Sequence, residues 1–370
     1  MKVALVCDWL TTPGGAEKVL LELHRMYPDA PIYTSQYRKK GIDWFLDADV
    51  RTGWLQIFPA KLRKFIGVFR QLYFSHLDLS EYDLVISVTG AEAKAVRVES
   101  RKTGRRAKHL CYCHVPTQYY WQMYDQYLER PGFGILNPIV RLGLRALIRP
   151  LRRADFRAAK QPDQIVTISH YAAKQIKKYY QRDAVVAAPP VDTQAFKPQK
   201  SVPRGGFVIA CRQVTWKRVD LAIAACKKVQ VSLMVIGDGP ESARLRDLAA
   251  GDPLLTFKSW QDSAGLARSL QSAAAFIFPS QEPFGMAAVE ALAAGCPVIA
   301  FADGGSQDIV EPGKNGLLFR QQTVASLAAA IKNFQPQDYQ TETVIASAER
   351  FSIANFHTRV KQLVRELTHE

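Results

Sequence analysis

Between positions 274 and 301 the chain runs apolar, polar, alanine-rich and apolar again, an order that leaves few folds open. AAFIF (274–278) reads as a buried parallel strand that stops at Pro279. A polar loop follows, a helix is expected to open near Phe284, and PVIAF (297–301) reads as the next strand. Together these make a βαβ unit. Its loop lies at the carboxyl end of a strand, where open α/β sheets bind ligands. The unpaired amides of Gly285, Met286 and Ala287 at the helix start suit a phosphate. Glu282 precedes that anion site, and Glu290 lies about nine ångströms further along at a rise of about 1.5 Å per residue. Two carboxylates on either side of a phosphate can hold the hydroxyls of two sugars, as a nucleotide sugar requires.

The same alternation runs through the whole chain, so two doubly wound α/β domains are expected from 370 residues. Strands are predicted in the first half at 2–7, 84–88, 109–113, 164–169 and 184–188. In the second half they are predicted at 207–211, 232–237, 254–257, 274–278, 297–301 and 316–319. Helices are predicted at 15–26, 171–180, 219–229, 241–249 and 266–272. PPVDTQAFKPQKSVPRGG, around 191–206, is rich in proline, glycine and charge and reads as the linker. Two such domains predict an interdomain cleft for ligands.

Further polar residues are expected at other strand ends. Gly14 and Gly15 let backbone come close to a ligand at a helix start, although GGAEK lacks the GxGxxG spacing of a dinucleotide site. Arg212 ends a strand, and Lys217 follows five residues later just before a helix. Two cations there can neutralise a pyrophosphate leaving group, although an ordinary surface loop carries similar charges. His114 closes the strand before Val115 and Pro116; it offers a polar contact to a sugar or acceptor, or a general base. Gly237 and Asp238 follow another strand, and Asp303, Gly304 and Gly305 follow the strand 297–301. Both loops permit close backbone approach to a ligand. No P-loop, HExxH, GxSxG or strand-end DxD segment is present, so no metal or cofactor is expected. The six cysteines are scattered through apolar segments and read as buried thiols.

Charge is unevenly placed. Residues 1–200 hold 32 Lys and Arg against 18 Asp and Glu, a net +14, while the remainder holds 17 against 16, a net +1. No acid occurs between Asp49 and Asp78, nor from Pro131 to Ala154. In the segment 58–74, Phe58, Leu62, Phe65, Ile66 and Phe69 make an apolar stripe, with Lys61, Arg63, Lys64 and Arg70 mostly off it. The segment 135–153 repeats the signal. Such basic amphipathic helices either pack on their own core or lie on an anionic leaflet, and their repetition favours the leaflet. A nucleic-acid partner is not expected, since no aromatic RNA-binding motif or recognition helix is visible. No apolar run is long enough to span a bilayer and KVALVC carries no basic leader, so the expected location is cytoplasmic, peripheral on the inner face of the cell membrane.

The motifs fall in a familiar order. VCDWL with PGGAEKVL, HLCYCHVPTQYYW, TISHYAAKQIKKYY, APPVDTQAF, CRQVTWK, VIGDGPE, EPFGMAAVEALAAGCPVIA, DGGSQDIV and GKNGLLF together resemble retaining GT-B glycosyltransferases of family four. The resemblance implies two Rossmann-like domains, 1–195 on the acceptor side and 196–354 binding the donor, with a helix at about 355–370 packing back onto the first. It implies metal-independent transfer of a sugar from a nucleoside diphosphate to a hydroxyl, with retained configuration. His114, Glu282, Arg212 and Lys217 match its catalytic positions. Gly14, Gly15, Gly237, Asp238, Phe284, Gly285, Met286 and Glu290 match donor contacts, and Tyr119 and Trp121 stand on the acceptor side. CDWL, GGAE and CHVP are similar to bacterial mannosyltransferases that build lipid-linked O-antigen or exopolysaccharide, which implies GDP-mannose as donor and a lipid-linked glycan as acceptor. Gln118 and Asp308 depart from the Arg and Glu common in relatives. A UDP-sugar enzyme and a catalytically silent sugar-nucleotide binder are the alternatives.

Overall fold

The computed structural model describes residues 1–59, 66–129, 134, 137–198 and 202–369. The chain divides into two compact units, Met1–Pro189 with Phe356–Glu370, and Pro190–Asn355. The division falls six residues before the 195/196 boundary expected from sequence. The cause is local: Val191 donates its N–H to the carbonyl of Phe351, and Val191 bridges to Ser352, which fastens the PPVD stretch to the second unit.

Unit 1 is built on seven parallel strands in the order β3-β2-β1-β4-β5-β6-β7. They are β1 (Val3–Cys7), β2 (Ile32–Thr34), β3 (Val50–Thr52), β4 (Leu84–Thr89), β5 (Lys108–Cys113), β6 (Gln164–Thr167) and β7 (Val185–Val186). Its helices are α1 (Gly15–Met26), α2 (Gly67–His76), α3 (Tyr124–Glu129), α4 (Asn137–Ala158) and α5 (His170–Tyr180). The strands β2 and β3 have no counterpart in the sequence reading. Three residues are too few to show a period; β2 forms on the edge of β1, with Leu5 opposite Ile32, and β3 on the edge of β2, with Ile32 opposite Val50.

Unit 2 has six parallel strands in the order β10-β9-β8-β11-β12-β13. They are β8 (Phe207–Ala210), β9 (Leu233–Ile236), β10 (Leu255–Lys258), β11 (Ala275–Phe278), β12 (Val298–Phe301) and β13 (Gly316–Phe319). Helices α6 (Val219–Val229), α7 (Ser242–Ala249), α8 (Ser263–Gln271) and α9 (Met286–Ala293) alternate with them. After these come α10 (Ser306–Ile309), α11 (Val324–Asn333) and α12 (Thr341–Ala348). The central strands β8 and β11 are buried along their whole length, which is why they read as unbroken apolar runs. The last helix, α13 (Ile353–Thr368), starts in unit 2 and joins unit 1 from Phe356 onward. There Phe356 meets the Tyr112 ring edge-on at 6.0 Å, and His357 Nε2 lies 2.9 Å from Glu22.

The basic segments differ from expectation. Of the single helix anticipated over 58–74, the described part holds α2 (Gly67–His76), and a 3-10 turn at Trp54–Ile57 precedes the segment; Ala60, Lys61, Leu62, Arg63, Lys64 and Phe65 lie outside the described residues. Arg70, assigned to the solvated side by its position off the stripe, is buried. Phe58 and Phe69 stack at 6.5 Å and share a cluster with Trp54. In the second segment α4 forms as anticipated, with residues 135 and 136 outside the described set. Among the described residues no helix is long and apolar enough to cross a membrane.

Helix α9 explains its own composition. It is buried from Ala288 to Ala293 and packs against β11, β12, α8 and α12. Alanine keeps the helix close to all four, and adding methylenes to such a core costs about 1–3 kcal/mol. Ala291→Leu is therefore expected to destabilise the protein by ~1–3 kcal/mol in denaturant unfolding, with no change where the tail of α13 is altered at exposed Glu366.

Candidate functional site

Strand order in unit 2 reverses between β8 and β11, so the loops after these two strands diverge and leave a crevice at the sheet edge. Two of the residues singled out from sequence, Lys217 and Glu282, meet there. After β8, Arg212 is exposed and its guanidinium has no partner among the described residues. Lys217 ends the 3-10 turn Thr215–Lys217 and forms an ion pair with Glu282, which follows β11. Ser280 Oγ donates to the other Glu282 oxygen at 2.6 Å. The carboxylate is thus fixed in direction by one strand-end loop and by a cation from the neighbouring one.

Glycines shape this edge in a way the sequence reading did not anticipate. A side chain at Gly304 (φ +91°) would strike the Glu282 carbonyl at 2.4 Å, and one at Gly305 would strike Phe284 Cα at 2.4 Å. The Gly305 N–H donates to that Glu282 carbonyl at 2.7 Å. At Gly237 (φ +114°) the obstacle is the Cys211 carbonyl, at 2.2 Å. These glycines let one strand-end loop lie closely against another. Gln213 completes the seam: its buried side-chain amide donates to the Gly237 carbonyl at 2.6 Å, and its N–H donates to Asp238 O at 3.0 Å. Asp238 in turn accepts the Trp260 N–H at 2.8 Å.

The helix start is open to an anion. Gly285 (φ +122°) precedes α9, no side chain caps it, and Met286 and Ala287 are half-buried. A side chain at Gly285 would enter the Phe278 ring at 2.5 Å, so only glycine fits. Glu290, one turn further on, is buried. Phe284 contributes no ring to the edge: it is buried against Phe351 with centroids 5.6 Å apart.

In unit 1 the reversal lies between β1 and β4. Gly14 and Gly15 do begin α1, with Gly14 in extended backbone. An acid stands close to this helix start. A Cβ at Gly14 would meet the buried Glu17 carboxylate at 2.7 Å, and Glu17 stands in the first turn where a negative group complements the helix dipole. Across the reversal, buried Asp8 accepts from Thr89 Oγ1 at 3.0 Å and from the N–H groups of Gly90, Ala91 and Ala93 at 2.7–3.1 Å.

His114 follows β5, with its N–H donated to the Thr89 carbonyl at 2.9 Å and its ring edge-on to Tyr112 at 5.4 Å. Its Nε2 is buried without a hydrogen-bond partner among the described residues. Burial pushes its pKa down to about 4 from the usual 6.5, so the ring is neutral near pH 7. Tyr119 and Trp121, anticipated as acceptor contacts, have their polar tips engaged inside unit 1. Tyr119 OH bonds to Glu92 at 2.5 Å, and Trp121 Nε1 donates to Asp155 at 2.7 Å. The buried charges Asp8, Glu92, Lys94 and Asp155 were missed. Asp155 had one signal, as the acid that ends the acid-free stretch from Pro131 to Ala154.

Residues 191–350, nearly all of unit 2, match the family of glycosyl transferases group 1. An uncharacterised glycosyltransferase of Methanocaldococcus jannaschii is 29% identical over 201 residues, covering 53% of this chain and 56% of the relative. The D-inositol 3-phosphate glycosyltransferase of Mycobacterium leprae is 27% identical over 291 residues, 68% of this chain and 66% of the relative. The chain thus spans a little over half to two thirds of the length of these two relatives. Among solved structures, Anabaena HepE in complex with UDP superposes with a TM-score of 0.72 at 19% identity, covering 99% of this chain and 100% of that one. The architecture is GT-B, and the match to the glycosyl transferases group 1 family lies within unit 2.

His114 and His109 both have folded pKa values of about 4, below the unfolded 6.5. The unfolded chain therefore binds more protons between those values, and stability falls as pH drops from 6.5 toward 4. Thermal melts across that window are expected to show the decline, and His114→Asn is expected to flatten part of it.

Proposed function

We propose that the protein is a retaining glycosyltransferase that moves a sugar from a nucleoside-diphosphate donor to a hydroxyl of a lipid-linked glycan in cell-surface polysaccharide synthesis. The observation that carries this reading is the Lys217–Glu282 pair spanning the β8/β11 reversal, beside the free Arg212 and the uncapped start of α9. Such an edge supplies two cations and a helix dipole for a diphosphate, with a carboxylate on each side for hydroxyls. Arg212, Lys217, Gly285 and Met286 hold the diphosphate. Glu282 positions the donor sugar and Glu290 the ribose. His114, with its neutral ring and unpaired Nε2, is a polar partner for a sugar or acceptor hydroxyl.

In the proposed reaction the bond between the anomeric carbon and the diphosphate oxygen breaks, and a bond to the acceptor oxygen forms on the same face. The departing phosphate takes the acceptor's proton, and the nucleoside diphosphate leaves with its charge met by Arg212, Lys217 and the α9 dipole. Nothing in this sequence of events calls for a metal. GDP-mannose is the donor proposed first, on the CDWL, GGAE and CHVP motifs. A UDP-sugar is the second reading, favoured because HepE has been solved with UDP and with UDP-glucose.

The proposed location is cytoplasmic, on the inner face of the membrane. Exposed Val68, Phe69 and Leu72 on α2 and Ile139, Leu142 and Leu147 on α4 support it, with exposed Arg145, Arg149 and Arg153 nearby. Apolar side chains interleaved with arginine suit an anionic leaflet, where each basic group contributes about 1 kcal/mol.

Calorimetry against GDP-mannose, GDP, UDP-glucose and UDP is expected to show one base preferred by at least about tenfold, which is ~1.4 kcal/mol. Lack of binding by all four would remove the donor reading. Glu282→Gln is expected to lower transfer by about 100-fold or more while the nucleoside diphosphate binds within about threefold of wild type, and a chelator is expected to change neither. Sedimentation with vesicles is expected to retain the protein on phosphatidylglycerol at low salt and to release it as salt rises; equal retention on pure phosphatidylcholine would count against the membrane proposal.

A further inference from the structure

Four charged side chains are buried beyond β4, and none belongs to the donor site. Arg70 pairs with Glu92 at 2.8 Å and Lys94 with Asp155 at 2.6 Å, with at most 2% of any of these side chains exposed. Burying ion pairs costs several kcal/mol per ion, and apolar residues often serve stability as well, so their placement asks for another explanation.

Both carboxylates grip one segment, residues 117–121. Asp155 accepts from Thr117 Oγ1 at 2.8 Å and Trp121 Nε1 at 2.7 Å, while Glu92 bonds Tyr119 OH at 2.5 Å and Tyr120 OH at 3.1 Å. Only Val115 and Pro116 separate that segment from His114. Of the four charges, Arg70 is on α2 and Asp155 on α4, while Glu92 and Lys94 lie in the turn after β4. Helix α4 adds Arg152, which donates to the Tyr120 carbonyl at 2.6 Å and lies over the Trp121 ring at 5.2 Å. Toward its N-terminal end α4 carries Leu142, 70% exposed, with exposed Arg145 and Arg149. One helix therefore carries both an exposed arginine-and-leucine surface and the side chains that fix the segment beside His114.

We propose that α4 links the two: engagement of its exposed face by an anionic lipid surface restrains residues 117–121 through Asp155, making it a positioning residue for the acceptor-side segment. This rests on the membrane reading above. Charge complementarity selects the occupant, because no acid occurs from Pro131 to Ala154 while α4 presents exposed arginines among exposed aliphatic side chains.

Hydrogen–deuterium exchange on the full chain tests it, with vesicles of phosphatidylglycerol and phosphatidylcholine against phosphatidylcholine alone. In wild type, anionic vesicles are expected to slow exchange of the 117–121 amides by about tenfold, and neutral vesicles to leave it unchanged. Asp155→Asn is expected to sediment with anionic vesicles as wild type does but to lose the slowing. Thr117→Val, which removes one bond to Asp155 and leaves Lys94 paired, is expected to lose part of it should the first variant not fold. Arg145→Glu with Arg149→Glu is expected to lose both sedimentation and slowing. Sedimentation of wild type with unchanged 117–121 exchange overturns the link alone, as does equal slowing in Asp155→Asn, which would mean direct coverage by lipid. Failure of wild type to sediment overturns both this link and the membrane reading.

Discussion

Parallel strands deliver all their carboxyl-end loops to one edge, and where strand order reverses two neighbouring loops must part. In unit 2 that geometry sets Lys217 after β8 and Glu282 after β11, and the ion pair between them bridges the reversal. The loops themselves depend on close backbone packing. Gly304 and Gly305 let the 303–306 turn lie against the Glu282 carbonyl and Phe284, and Gly237 lets the β9 loop lie against Cys211. The direction of the Glu282 carboxylate is thus a consequence of backbone fit and of Lys217 and Ser280 together.

Unit 1 solves the same topological problem with buried charge. Asp8 reaches across from β1 to collect four donors, one from the end of β4 and three from the turn after it. Two further ion pairs continue beyond that turn and hold residues 117–121 between α2 and α4. Buried carboxylates with this many donors specify one arrangement of loops, since leaving any one charge unpaired costs about 3–5 kcal/mol. The helices that carry these inward charges also carry the exposed apolar and basic side chains. Their two faces are therefore parts of one construction.

The helix starts show how similar sequences diverge in use. GGAEK and PFGMA both place glycine before a helix behind a buried strand. At α1 the carboxylate of Glu17 lies at the helix start, whereas α9 has no side-chain cap and its first turn holds no acid. The two starts therefore differ in the charge their own first turns present.

The sequence by itself determined the alternation of long buried strands with amphipathic helices, the α/β class, and the set of polar residues at strand ends. Apolar runs such as FVIA and AFIF have one favourable environment, the middle of a parallel sheet, so local pattern and final place coincide. Only the tertiary structure decided which residues meet. The three-residue strand β2 forms on the edge of β1 and β3 on the edge of β2, Arg70 is buried because Glu92 awaits it, and the DGG glycines face protein because another loop occupies the space. Pairings of this kind join residues 22 to 65 positions apart, as in Arg70–Glu92 and Lys217–Glu282. No periodicity along the chain encodes them, because their free energy arises only when separate segments shed water against each other.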